Sequence, residues 1–379
     1  MLKKLTALVL AVLLANTYVP AAQAREYPEL AMDCKAALLM EYESGEVLYA
    51  KNEHEPMPMA SVTKIMSVLL VVEAIEAGNV SLDDVVTAST HASSMGGSQI
   101  YLRENEQMPL RDMLKSVIVA SANDACVALG EHVAGSEDEF VARMNRRAAE
   151  LGMKDTNFVN CTGLDAEGHR STAYDIALMS RELLGHELIF DYTTIWTDSV
   201  RDGEFGLTNT NKLIRFYQGA NGLKTGSTNG AMYCVSAAAK RDGMQLIAVV
   251  LGSSSGAARF EAAKTMLNYG FANFRLLPLE KPEIPDVPVH GGVAEQVIAD
   301  TVLPKSLLVE KSFSKQPECE ITLPERLEAP VEAGDEIGTV IWKAGGEAVY
   351  SAGIYAAQTV EERSFGFCLI ELLKKFIMI

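Results

Sequence analysis

The chain predicts an α+β fold, an antiparallel sheet covered by helices, and three observations carry that expectation. Two strand-like runs near the start flank the turn "ESGE". Several stretches with apolar residues at helical spacing follow. A strand–strand–helix series then closes the region. The 379 residues are 48% hydrophobic and 22% charged, an ordinary globular composition with room for a large core and two domains.

The first stretch, "MLKKLTALVLAVLLANTYVPAAQA", has two lysines, an apolar run and Ala22-Gln23-Ala24. These match the sections of a secretory signal with cleavage after Ala24, the other reading being an uncleaved membrane anchor. The mature protein is therefore expected outside the cytoplasm. "CKAALLMEYESGEVLYAKN" then reads as two strands around a turn. From Ser61 to about Gly78 the apolar spacing is helical and ends at a glycine. Further helices are predicted from "LRDMLKSVIVASANDACVALGEHVAG", "SEDEFVARMNRRAAELG" and "STAYDIALMSRELLG", the second opening on the capping pair Ser136 and Glu139. Between the last two lies "MKDTNFVNCTGLDAEGHR", a loop by its Gly, Asn and Asp content. "AMYCVSAAAK" and "MQLIAVVLGS", joined by "RDG", read as a hairpin, and "SGAARFEAAKTMLNYGFANF" as a helix packing on it.

At about Leu276 the texture changes. "LLPLEKPEIPDVPVHGG" holds four prolines, and from there to about Glu362 short Val- and Ile-rich runs alternate with turns such as "EAGDE" and "KAGGE". The final "SFGFCLIELLKKFIMI" places Glu371, Lys374 and Lys375 on one helix face among bulky apolar residues. Sixteen helical residues reach only about 24 Å, short of the roughly 30 Å hydrocarbon core. A helix lying in the membrane interface is expected, docking on the protein's own core being the alternative. The expected boundaries are thus 1–24 signal, 25–274 helix-and-sheet domain, 275–363 β-rich domain and 364–379 amphipathic helix.

Net charge is −17, and losing Lys3 and Lys4 would make it −19. With no basic stripe, nucleic acid is excluded as an expected partner. Cys34, Cys126, Cys161, Cys234, Cys319 and Cys368 lie far apart without a C-x-x-C pair, so they suggest small core residues with room for one or two bridges. The six histidines form no ligand set, and neither a metal nor a cofactor is expected.

Three short motifs point to chemistry. Ser61 and Lys64, in "EPMPMASVTKIMSVLLVV", stand one turn apart at the head of a helix. A neutral lysine there can take the serine proton, and both a helix N-terminus and a nearby second cation favour the neutral form. Alone, the pair also fits a polar helix start with a snorkelling lysine. "VIVASANDAC" sets Ser121 and Asn123 in a polar notch of an apolar helix, which is costly without partners, although a helix–helix turn also explains it. "NGLKTGSTNG" places Lys224, Thr225 and Gly226 beside a strand, where a cation and a glycine admit a substrate backbone, or simply a turn enters a hairpin.

Taken together, Ser-x-x-Lys, Ser-x-Asn and Lys-Thr-Gly in this order form the set of the penicillin-recognising serine enzymes. The chain resembles their low-molecular-mass branch, the penicillin-binding proteins that are D-alanyl-D-alanine carboxypeptidases. "SANDACVALGEHVAG", "GLDAEGHRSTAYDIALMS" and "RFEAAKTMLNYGF" also look like counterparts in that family. The likeness covers roughly Ala31 to Phe274 and continues in outline through a β-rich domain and a C-terminal amphipathic anchor.

The resemblance implies a β-lactamase/transpeptidase-like domain and a serine peptidase working without a cofactor. It implies that Ser61 is acylated, Lys64 is its base and Ser121 relays a proton to the leaving amine. Asn123 would hold the substrate peptide, while Lys224, Thr225 and Arg259 would meet its carboxylate, Arg259 being otherwise a surface arginine. Gly226 would let the substrate backbone approach. The N–H groups of Ser61 and Ser227 would form the oxyanion hole, Ser227 standing where many relatives have histidine. The implied partners are a peptidoglycan pentapeptide ending in D-Ala-D-Ala, β-lactams as covalent inhibitors, and the outer face of the membrane through the tail.

Two rivals are weaker. A class A-like β-lactamase needs a deacylating glutamate, and the loop offers only Glu167 without the E-x-x-x-N context. A penicillin-sensing scaffold without turnover would be expected to have lost one motif, and none is lost.

Overall fold

A computed structural model describes residues 27–314 and 317–377. The expected secretory signal lies outside the described residues. The chain forms two compact units that divide between Gly270 and Phe271.

The first unit is built on a five-stranded antiparallel sheet. The opening strands, β1 (Ala36–Glu41) and β2 (Val47–Lys51), pair around the predicted turn. The buried Glu41 carboxylate makes that turn by accepting from the N–H groups of Glu43 and Ser44. Helix α1 (Lys64–Glu76) follows a short 3-10 turn, Ala60–Thr63. The next predicted helix is two, α2 (Leu110–Val119) and α3 (Asn123–Ala134). Helix α4 (Glu137–Glu150) is capped by Ser136, whose Oγ accepts from the Glu139 N–H at 3.2 Å. Helix α5 (Ala173–Leu184) is capped by Thr172 in the same way.

The predicted hairpin is β4 (Met232–Arg241) with β5 (Met244–Ser253), and a further strand, β3 (Ala220–Thr228), precedes it. The order β2–β1–β5–β4–β3 leaves β3 at an edge. Its glycines and lone lysine hide it from a search for apolar runs, so the sequence places Lys224, Thr225 and Gly226 beside a strand, whereas they lie on one.

The central strands are buried throughout, which explains their unbroken apolar runs. Ala36, Leu38, Met40, Ile247, Val249 and Leu251 join the core formed with α1, α2, α3 and α5. Leu39 and Leu246 face the other side, toward helix α6 (Gly256–Asn273). A Cβ on Gly270 would lie 2.5 Å from Leu246 Cδ1, so a side chain there would force the leucines beneath α6 to repack.

The second unit is β-rich, as its texture predicts. Glu318–Thr322, Glu336–Ala344, Glu347–Ala356 and Ala299–Asp300 form a four-stranded sheet. Val287–His290 pairs with Gln296–Val297 and Leu327–Glu328. Val287, Val297, Val340, Trp342 and Ile354 fill its core. Helix α7 (Phe365–Ile377) ends it, with Phe365 85% and Phe376 75% exposed. All six cysteines are free, so the bridges allowed from sequence are absent; Cys34, Cys126, Cys161 and Cys234 are buried, and Cys319 and Cys368 exposed.

Candidate active site

The site begins at a strained turn. Ala60 adopts φ +49°, a left-handed conformation that costs energy for any residue with a Cβ, and this turns Ser61 out at the head of α1. One turn on, Lys64 is fully buried. Its Nζ lies 2.9 Å from Ser61 Oγ, 2.6 Å from Asn123 Oδ1 and 2.7 Å from the Thr162 carbonyl. Burial is the main force on this amine and lowers its pKa to about 8, opposed by Cys126, Cys161 and Asp124. The sequence reading named a helix N-terminus and a second cation as causes. Burial is the largest cause, and both expected features are also present: Lys64 opens α1, and like-charge repulsion acts between it and Lys224.

This geometry bears on the proton. A neutral amine has two N–H groups and one lone pair. Asn123 Oδ1 and the Thr162 carbonyl can only accept, so they take both N–H groups. The lone pair is then left for the Ser61 hydroxyl. With a pKa of about 8, roughly a tenth of the amine is neutral at pH 7.

The polar notch is the gap between α2 and α3. Ser121, at φ +65° and buried, breaks the helix there, and Asn123 starts the next one. Asn123 Nδ2 donates to the Gly96 carbonyl at 2.6 Å, which fixes the amide so that Oδ1 meets Lys64. Thus Asn123, expected to contact substrate, also orients the amine.

The Lys-Thr-Gly stretch lies on edge strand β3, with Lys224 opposite Ser236. Lys224 is buried, and its Nζ donates to the Thr225 carbonyl at 3.0 Å. Its pKa is held well below the ordinary lysine value by burial first, then by Lys64 and Arg259. No carboxylate among the described residues pairs with it. Thr225 Oγ1 donates to Thr210 Oγ1 at 2.7 Å. A Cβ at Gly226 would sit 2.8 Å from the Ser61 nitrogen, so only glycine lets the strand close on the Ser61 turn. Ser227 follows, its side chain exposed.

Arg259, on α6, is partly buried and no free surface arginine. Its Nη1 donates to the Gly226 carbonyl at 2.9 Å, and the guanidinium lies over Phe260 and Tyr233. Its Nε is buried without a hydrogen-bond partner among the described residues.

Three contributors were missed from sequence. The Thr162 carbonyl carries no residue-type signal, since every residue has one. Thr210 is an ordinary polar residue until β3 pairs beside it. Asp124 is buried and accepts from the N–H groups of Ile100, Leu102 and Ala125, tying the loop below Gly96 and Gly97 to α3. Its signal was an acid in an apolar run. Asp124→Ala is expected to lower stability by about 3 kcal/mol, since it strands buried donors that now bond a charge. Urea denaturation checks this, and an unchanged midpoint would contradict it.

Comparison with known proteins places the chain. Residues 21–255 match the family model described as D-alanyl-D-alanine carboxypeptidase, and residues 278–362 that of the penicillin-binding protein 5 C-terminal domain. D-alanyl-D-alanine carboxypeptidase DacF of Bacillus subtilis is 40% identical over 96% of both chains. DacC of Escherichia coli, a D-alanyl-D-alanine carboxypeptidase, is 33% identical over 93% of this chain and 90% of its own. The structure of penicillin-binding protein 5 from Haemophilus influenzae superposes with a TM-score of 0.80 at 29% identity, covering 89% of this chain and all of that one. Penicillin-binding protein D2 of Listeria monocytogenes in its ampicillin-bound form gives 0.60 at 32%, covering 64% of this chain and all of that one.

Proposed function

The chain belongs to the family of D-alanyl-D-alanine carboxypeptidases, and from that premise we propose how its own residues perform the reaction. It is a serine peptidase that removes the terminal D-alanine from peptidoglycan stem peptides, and β-lactams acylate it. The observation that carries the residue roles is the Lys64 amine, held by two acceptors with Ser61 Oγ 2.9 Å away.

Neutral Lys64 takes the Ser61 proton as Oγ attacks the carbonyl between the two D-alanines. The negative charge passes to the carbonyl oxygen, which meets the backbone N–H groups of Ser61 and Ser227 across Gly226. Such donors contribute a few kcal/mol to lowering the barrier. The C–N bond then breaks, and the proton returns from Lys64 through Ser121 to the leaving amine. Water hydrolyses the acyl-enzyme and releases the shortened peptide. Lys224, Thr225 and Arg259 receive the terminal carboxylate, and the buried, unneutralised Lys224 and the unpartnered Arg259 Nε support that assignment. Asn123 holds the peptide with its remaining N–H.

Residues 1–24 act as the export signal and are removed, and domain 25–274 works on the outer face of the cytoplasmic membrane. The β-rich domain 275–363 follows it in the chain, and 364–379 is the tail. No helix among the described residues is long and apolar enough to cross a membrane. The exposed Phe365, Ile370, Leu373 and Phe376 suit the interfacial position instead. Deleting 364–379 is expected to move the protein from the membrane fraction to the soluble one with activity kept; a truncated protein that still sediments would contradict the anchor.

The reaction itself is tested by incubating the protein with a peptide ending in D-Ala-D-Ala and assaying free D-alanine. Stoichiometric penicillin labelling without D-alanine release would favour the sensing scaffold.

A further inference from the structure

One buried histidine has no part in the steps above. His169 lies in the loop before α5, 5% exposed, its ring edge-on to Phe158 with centroids 6.0 Å apart. Its Nδ1 accepts the Val159 N–H at 3.0 Å, and its Nε2 lies 2.8 Å from Thr63 Oγ1. That hydroxyl in turn donates to the Ala60 carbonyl at 2.8 Å.

The pattern admits one protonation scheme. A backbone N–H can only donate, so Nδ1 must be unprotonated, and the ring proton of the neutral imidazole is on Nε2. Thr63 Oγ spends its single proton on Ala60 O and therefore accepts from Nε2–H. Burial agrees with this, pushing the His169 pKa down to about 4 against the pull of Asp165. A directed chain results, from Val159 N–H through His169 and Thr63 to the carbonyl of Ala60.

The end of that chain is the one strained residue directly before the nucleophile. The loop also presses on it from the same side. A Cβ on Gly163 would fall 1.9 Å from Ala60 O and 2.8 Å from Thr63 Oγ1. Gly163 follows Thr162, whose carbonyl holds Lys64. One histidine thus ties the loop that orients the base to the turn that presents the nucleophile.

We propose that His169 is a positioning residue for acyl transfer: through Thr63 it fixes the Ala60 peptide, and with it the Ser61 N–H and hydroxyl. The inference rests on Ser61 being the acylated residue. His169 touches no substrate. Its effect is on the placement of reacting groups, where a displacement on the order of 1 Å costs about 100-fold in rate.

The experiment measures acylation of the full chain by a fluorescent penicillin, separating the rate constant from the preceding noncovalent affinity. His169→Gln keeps an N–H aimed at Thr63, and Thr63→Ser keeps the hydroxyl. Both are expected within about threefold of the native rate constant. His169→Asn keeps an acceptor for Val159 but cannot reach Thr63, and Thr63→Val breaks the same link. Each is expected to slow acylation about 10- to 50-fold with affinity unchanged within about threefold. The double variant His169→Asn/Thr63→Val should be no slower than the slower single, because both cut one chain.

Native-rate acylation by folded His169→Asn, additive losses in the double variant, or a loss confined to affinity would each overturn the proposal. Should the variants not fold, nitrogen NMR of the native protein decides: the Nε2–H tautomer at pH 7 supports the chain, and the Nδ1–H tautomer or a cation overturns it. A native protein that is never acylated at Ser61 is a different result, and it would sink the nucleophile assignment instead.

Discussion

Ser61→Ala is expected to abolish both D-alanine release and covalent penicillin labelling, by at least ~10⁴-fold in rate, as nucleophile deletions do elsewhere. The loss is chemical and leaves the fold intact. Ser61 is half-buried on a turn whose shape is set by other contacts: Thr63 on the Ala60 carbonyl, and the close approach of Gly226. Removing one oxygen leaves Lys64 still bonded to Asn123 and Thr162. Noncovalent substrate affinity should therefore persist, since Lys224, Thr225 and Arg259 are untouched. Equilibrium binding of the peptide to the alanine variant checks this, and weakened binding alongside lost turnover would mean the site had collapsed.

Lys64→Met carries the second largest effect, an expected fall in acylation rate on the order of 10³-fold or more. Methionine is chosen because the side chain is wholly buried and of similar length, so packing is conserved while the amine is lost. The native pH profile should carry the same signature. The reactive form is the neutral amine, so acylation should rise with pH and level off above about 8, where burial has placed the lysine. Below that value the rate should fall about tenfold per pH unit. A profile flat from pH 6 to 9 would contradict the assignment of Lys64 as base.

Much of this was legible because catalysis needs rare residue types in rare places. A lysine at the head of an apolar helix, a Ser-x-Asn notch and a cation beside a strand each conflict with their surroundings, and the order of the three removed the ambiguity. The strands themselves were legible as unbroken apolar runs, such as "MQLIAVVLGS", because they are buried along their whole length, but their order in the sheet was not. What stayed hidden was whatever depends on backbone. The Thr162 carbonyl, the left-handed turns at Ala60 and Ser121, and strand β3 at the sheet edge carry no signature in residue type. Asp124 and His169 were present as letters but act only through loops brought to them by folding. Arg259 was undecidable from its helix, because its burial comes from Gly226 and Tyr233, distant in sequence.

The most direct test is where a β-lactam becomes attached. After brief exposure of the native chain to ampicillin and digestion with trypsin, mass spectrometry should find the added mass on the peptide Asn52–Lys64, with fragmentation placing it on Ser61. Intact-protein mass should show one adduct per chain, and none on Ser61→Ala. An adduct on Ser121 or any other residue, or an unmodified protein that still releases D-alanine, would contradict the assignment of Ser61 as nucleophile.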